Sequence, residues 1–137
     1  MQRPLPMPNA DTAPFWDGCA RGTLSIQRCD DCGARQFPPR PFCTTCRSSA
    51  LVWEPASGRA TVASFTVVHR APLPAFREAV PYVLALVDLA EGPRMMTNVV
   101  DCDPDSMRIG QAVRFVFRRV ADDAPPLPLC VPAPEAA

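Results

Sequence analysis

The chain has 137 residues, 47% of them hydrophobic, and its 14 cationic and 14 acidic side chains cancel to a formal net charge of zero. That length suits one domain and a small appendage. The charge balance argues against a nucleic-acid binder, whose surface must be basic enough to neutralise phosphates. No apolar run approaches the ~20 residues that span a bilayer, so no membrane association is expected. Met1 to Pro6 lack the apolar core of a secretory signal, and a cytoplasmic location follows as the expectation, with thiols kept reduced.

Residues 1–12 are proline-rich and read as irregular chain, or as a segment draped over a partner. Pro14 to Arg21 read as a short helix: proline suits the first turn, Phe15 and Cys19 share a face at i,i+4, and Gly22 stops it. Leu24, Ile26 and Arg28 alternate with Ser25 and Gln27, which predicts a brief strand. This strand leads into Cys29-x₂-Cys32, followed after ten residues by Cys43-x₂-Cys46. Each pair puts two sulfurs on one tight turn, and the intervening loop can fold the second pair back onto the first. Four thiolates then close a tetrahedron around one Zn²⁺, leaving no open position and therefore forming a structural site. Gly33 suits the positive φ at the exit of the first turn. The second turn has Arg47 at the equivalent place and must close by other means. The competing readings are a redox pair or two disulfides. Cys19, Cys102 and Cys130 are scattered and read as buried or idle thiols. The loop Gln36 to Phe42 is stiffened by prolines and carries two aromatics able to shield the metal.

From residue 51 the pattern changes to strands at Leu51–Glu54, Ala60–Val68, Tyr82–Leu89, Met95–Val100 and Ala112–Arg119. In the last of these Val113, Phe115 and Phe117 point one way, and Arg114 and Arg118 the other. Five strands in about 75 residues without an intervening helix predict a mainly β chain whose second part is a five-stranded OB-fold barrel. The predicted organisation is a helix and ribbon over 1–50, a barrel over 51–120, and a proline-rich tail over 121–137, with Leu127 and Leu129 pinning its start.

The connection His69 to Pro81 is long for a hairpin, and long loops in compact domains are often functional. It holds the only histidine, His69, with Arg70, Phe76 and Arg77, and it ends at the only tyrosine, Tyr82. It reads either as a solvated insertion or as a contact loop. No nucleophile, acid/base and orienting group can be assembled around His69. The strand aromatics Phe65, Phe115 and Phe117 sit in apolar alternation, which leaves no stacking platform for bases.

The ordered set of segments resembles a known family, in which a rubredoxin-like zinc ribbon precedes an OB-fold. The matching stretches are Gly22 to Cys29, Cys32-Gly33, Pro38-Pro39-Arg40, Cys43 to Cys46, Trp53-Glu54 and Ser57 to Val62. They continue through Phe65 to His69, Pro81-Tyr82-Val83, Val87-Asp88-Leu89 and Gly110 to Val113. Members of that family accompany acyl-CoA enzymes, chiefly thiolases and thiolase-like lipid-transfer proteins. The resemblance implies a non-catalytic subunit of a hetero-oligomer, binding one structural Zn²⁺ and placing its barrel near the coenzyme A site of a thiolase-fold partner. An alternative reading is direct acyl-CoA binding or bridging, with Arg70 and Arg77 toward phosphate and Phe76 or Tyr82 packed on the adenine. A nucleic-acid-binding ribbon and barrel is the third reading.

Overall fold

The computed structural model describes residues 3–134. Helix α1 (Ala13–Ala20) carries Pro14 in its first turn and ends before Gly22, whose φ of 74° reverses the chain. It presses closely on the segment that follows it. A Cβ at Gly18 would lie 2.5 Å from Ser25 Oγ and 2.9 Å from the Thr23 carbonyl oxygen, so only glycine fits there.

Strands β1 (Ser25–Cys29), β2 (Arg35–Gln36) and β3 (Leu51–Pro55) form an antiparallel sheet in the order β2-β1-β3. The expected alternation of β1 is overturned. Ser25 and Gln27 are buried along with Leu24 and Ile26, because the helix and the neighbouring loop cover the face that the pattern assigned to solvent. The placement of 51–54 in the barrel also needs correction. Those residues pair with β1 from Ser25↔Pro55 to Cys29↔Leu51 and complete the ribbon sheet.

The barrel consists of β4 (Arg59–Val68), β5 (Tyr82–Leu89), β6 (Arg94–Val99), β7 (Ala112–Arg118) and β8 (Leu127–Pro132). Its cyclic order is β4-β5-β6-β8-β7, with β7 returning to β4. All pairings are antiparallel except β6 with β8, which meet in parallel at Val99↔Cys130. This is the five-stranded barrel expected from the sequence, closed on itself, but its last strand lies in the stretch read as a tail. Prolines 128 and 132 concealed it. Cys130 turns its carbonyl toward β6, where it accepts from the Val100 N–H at 2.8 Å, and the Pro128 carbonyl likewise accepts from Thr97 Oγ1 at 2.8 Å. By the two-residue period, the nitrogens of 128 and 132 also face the β6 side, where pairing is sparse. Leu127, Leu129 and Val131 supply the groups facing β7, so proline costs that ladder no donor.

Val83, Ala85, Val87 and Leu89 of β5 face the core, as do Val113 and Phe115 of β7; Phe117 is half-buried, and Arg114 and Arg118 are exposed as expected. Phe15, Cys19, Leu24 and Ile26 belong to the same apolar cluster, so ribbon and barrel share one core. Among the described residues no helix is long and apolar enough to cross a membrane.

Candidate metal centre and ligand face

The two cysteine turns are built alike. In the first, the Gly33 N–H donates to the Cys29 carbonyl at 2.8 Å and the Cys29 N–H to the Ala34 carbonyl at 2.9 Å. In the second, the Arg47 N–H donates to the Cys43 carbonyl at 2.9 Å and the Cys43 N–H to the Ser48 carbonyl at 2.8 Å. The exits match as well: Gly33 has φ 78° and Arg47 has φ 67°. The second turn therefore closes without glycine by placing an arginine in the left-handed region, at a cost of roughly 1–2 kcal/mol.

Sγ atoms of Cys29, Cys32, Cys43 and Cys46 all lie within 4.8 Å of one another, with Cys29–Cys46 and Cys32–Cys43 separations of 3.6 Å. A tetrahedral thiolate set at ~2.3 Å from Zn²⁺ has sulfurs roughly 3.8 Å apart, so the cluster fits that ion. None of the four is in a disulfide. Cys29 and Cys43 are buried, and Cys32 and Cys46 face solvent. The Cys46 N–H donates to Cys43 Sγ at 3.4 Å and the Thr45 N–H at 3.3 Å. These two donors, the first the stronger, together with hydrogen bonds from the Cys32 and Cys46 thiols, bring the Cys43 thiol down to about 6 against the opposing effect of burial. For Cys46 the Ser48 backbone donor pulls down, but burial and the crowd of neighbouring sulfurs outweigh it and leave the thiol at about 12.

Of the ribbon arginines, Arg28 pairs with Asp30 at 3.0 Å and with Glu54 at 3.2 Å, and Arg35 also pairs with Glu54. Those two cations thus offset carboxylates. The aromatics of the ribbon loop also depart from expectation. Phe37 packs on Phe15 at 5.3 Å between centroids, while Phe42 is 55% exposed.

The 69–81 connection closes the β4–β5 hairpin beyond the pair Val68↔Tyr82 and holds a single 3₁₀ turn, Pro74–Phe76. Phe76 and Tyr82 are half-buried against each other, 6.3 Å between centroids, and the Arg3 guanidinium lies 5.0 Å over the Phe76 ring. Arg3 and Pro4 thereby lie over the chain's own barrel. Beside this stack is a groove of about 410 Å³. Phe76 and Ala79 wall it from the β4–β5 loop and Val120 from the β7–β8 loop; Tyr82, Leu84 and Asn98 form its floor. Leu127 and Leu129 of β8 close the far side, and Arg3 and Pro4 the rim. In OB barrels the ligand face is formed by strands two and three with the loops after strands one and four, and the groove occupies that face. An apolar strip continues from it across the outer side of β5 and β6, through Leu84 and Leu86 to Met96, which is 63% exposed.

Of the five loop residues singled out in the sequence, Phe76 and Tyr82 line the groove; His69, Arg70 and Arg77 are exposed and do not. Sequence reasoning missed Asn98 and Val120, and read Leu127 and Leu129 only as pinning the start of a tail. The period-two pattern Leu127, Leu129, Val131 was the available signal.

A four-cysteine ribbon on a helix-backed sheet, continuous with a closed five-stranded barrel, defines a zinc-ribbon and OB-fold protein. Residues 16–52 match the ChsH2 rubredoxin-like zinc ribbon domain and residues 53–118 the ChsH2 C-terminal OB-fold domain. The chain belongs to this ChsH2 family, whose members also carry the designation DUF35. It is 39% identical to a DUF35 domain-containing scaffold protein of Methanothermobacter thermautotrophicus, over 75% of this chain and 77% of the relative. It is 40% identical to a probable enoyl-CoA hydratase alpha subunit of Thermomonospora curvata, covering 96% of this chain but only 40% of that protein. Among solved structures, the Ltp2-ChsH2(DUF35) aldolase contains a similar chain, with TM-score 0.83 and 39% identity over 94% of this chain and 99% of that one. A DUF35 protein of Sulfolobus solfataricus shares the fold at TM-score 0.65 and 15% identity, covering 91% of this chain and 87% of that one.

Proposed function

We propose that this chain is a non-catalytic zinc-binding OB-fold subunit that assembles with a thiolase-fold acyl-CoA enzyme, stabilising it and completing its CoA-substrate site. The observation that carries this reading is the likeness, along nearly the full length of both chains, to a chain of a solved aldolase named for two components. The hydratase alpha subunit among the relatives adds a second acyl-CoA enzyme context. Cys29, Cys32, Cys43 and Cys46 hold one Zn²⁺, which fixes the ribbon and leaves no position for substrate.

The remaining groups support a non-catalytic role. His69 is exposed, with no hydrogen bond to another described residue. Burial pushes the Cys19 and Cys130 thiols up to about 12, and Cys102 is raised by burial and then by Asp103 and Asp101. None is a ready nucleophile, since the reactive species is the thiolate. The groove and the apolar strip beside it form the partner face, anchored by Phe76 and Tyr82.

Co-expression with a thiolase-fold enzyme from the same genome tests the assignment. The pair is expected to co-elute, with acyl-CoA turnover present in the complex and absent from the isolated chain. Phe76→Ala should weaken assembly by more than ~1 kcal/mol while leaving the fold intact. Robust acyl-CoA turnover by the isolated chain, abolished by one substitution, would overturn the reading.

The second reading, direct acyl-CoA binding, is favoured by the groove, whose largely apolar lining suits an acyl-pantetheine chain and whose rim arginine suits a CoA phosphate. Under it the isolated chain binds acyl-CoA in calorimetry and Phe76→Ala abolishes binding. Arg77 lies off the groove, so Arg77→Ala raises the KM of the complex only if CoA reaches along the loop.

A further inference from the structure

The loop that brings the second cysteine pair to the first has little backbone with which to hold itself. Between Gln36 and Cys43 run Phe37-Pro38-Pro39-Arg40-Pro41-Phe42, so only Phe37, Arg40 and Phe42 carry an N–H. The β1–β2 ladder ends at Gln27↔Gln36, leaving the loop without strand pairing. Three of its backbone groups, the Arg40 N–H and carbonyl and the Phe42 carbonyl, are taken up instead by the side chains of that last pair. Gln27 Nε2 donates to the Arg40 carbonyl at 2.9 Å, and Gln27 Oε1 accepts from the Arg40 N–H at 2.9 Å. Gln36 Nε2 donates to Gln27 Oε1 at 2.8 Å and to the Phe42 carbonyl at 3.3 Å. Gln36 Oε1 accepts from the Thr44 N–H at 2.9 Å and from its hydroxyl at 3.3 Å. Both glutamines are buried, at 5% and 8% exposure, and neither leaves a buried side-chain atom unpaired.

We infer that Gln27 and Gln36 form a positioning pair for the metal centre, clamping residues 40–44 to the ribbon sheet so that Cys43 faces the Cys29–Cys32 turn. This rests on the reading of the four cysteines as the zinc site. The clamp spans both sides of the ligand: Arg40 and Phe42 precede Cys43, and Thr44 follows it. Neither amide touches a sulfur, so the pair acts on the ligand through the backbone. Two buried amides are a costly way to fill space, since each must find partners inside the protein. Here the partners are the loop carbonyls and amides that the prolines leave without a ladder. Such supporting hydrogen bonds hold a metal ligand in its bound geometry, and their loss typically lowers metal affinity about 10–100-fold.

The test uses the full chain, loaded with Zn²⁺ or with Co²⁺ as a spectroscopic probe, in competition with a chelator. Gln36→Leu and Gln27→Leu should lower apparent affinity about 10–100-fold through faster metal release, while the barrel keeps its circular dichroism. Thr44→Val keeps the N–H that Gln36 accepts and should stay within a few-fold of the parent. Hydrogen exchange on the zinc-loaded parent supplies a readout that needs no variant: the Arg40 and Thr44 amides should be protected. Unchanged metal competition in both glutamine variants overturns the inference while the zinc reading stands. So do Arg40 and Thr44 amides that exchange at free-peptide rates in the zinc-loaded parent. A parent chain that takes up no zinc or cobalt overturns the zinc reading itself.

Discussion

Ending the chain at Ala124 should open the barrel, because residues 127–132 are its fifth strand. The register with β7 runs from Arg118↔Leu127 to Val113↔Pro132. Cys130 and Val131 are buried, and Leu127 and Leu129 are half-buried. At ~1.5–3 kcal/mol for a fully buried side chain, and less for the half-buried pair, removing them forfeits on the order of 5 kcal/mol. Hydrogen bonds from Val100 and Ala133 to the paired strands are lost as well. The total rivals the ~5–15 kcal/mol by which whole domains are stable. Two newly unpaired edges, on β6 and β7, would also invite association. The truncated chain should lose its cooperative urea transition and partition into the pellet. A graded version is Val131→Ala, expected to cost ~2 kcal/mol and to lower the urea midpoint by about 1 M. A soluble truncated chain with the parent's midpoint would refute the assignment of 127–132 to the barrel.

A strong chelator, or Cys43→Ser, should disorder the ribbon, since structural zinc typically contributes ~10–16 kcal/mol of apparent binding energy in small peptides. Elemental analysis should find one zinc per parent chain, and well under half an equivalent would count against the site. The acid response should depend on Glu54, whose carboxyl is held below its ordinary value of 4.5 by the Arg35 guanidinium first and Arg28 second, against burial. A depressed folded value means that this contribution is complete above about pH 4.5 and fades as pH falls through the lower folded value. Glu54→Gln should therefore flatten that part of the stability curve; urea midpoints that fall in parallel for parent and variant would contradict it.

The cysteine pattern was legible because metal chemistry dictates spacing directly, and β5 and β7 because their alternation reflects a barrel with one buried and one open face. The errors have physical causes. Leu51–Pro55 carries no mark that distinguishes pairing with β1 from pairing within the barrel, since the choice is made by a partner distant in sequence. In 127–132 the prolines look like strand breakers until their nitrogens are seen to face a side with almost no ladder. Gln27 looks like the solvent face of an amphipathic strand, and nothing in its own neighbourhood announces that a proline-rich loop will fold over it. The groove was half legible: Phe76 and Tyr82 stood out by composition, but Asn98, Val120, Leu127 and Leu129 reach it only through tertiary closure.

The metal centre and the groove are mechanically connected. The Phe37 ring of the metal loop packs on Phe15 of the helix, and Phe15 lies in the same apolar cluster as Val62, Val87 and Val113 of the barrel. The Ala56 N–H donates to the Leu24 carbonyl at 2.7 Å, tying the short exit from β3 back to the start of β1. Only residues 56–58 separate β3 from β4. A connection that short, across a continuous core, leaves the ribbon little freedom to swing against the barrel. On the proposed reading the zinc therefore does more than hold a small module together. By fixing the ribbon it also fixes one wall of the shared core, and the partner face of the barrel is presented in a single orientation.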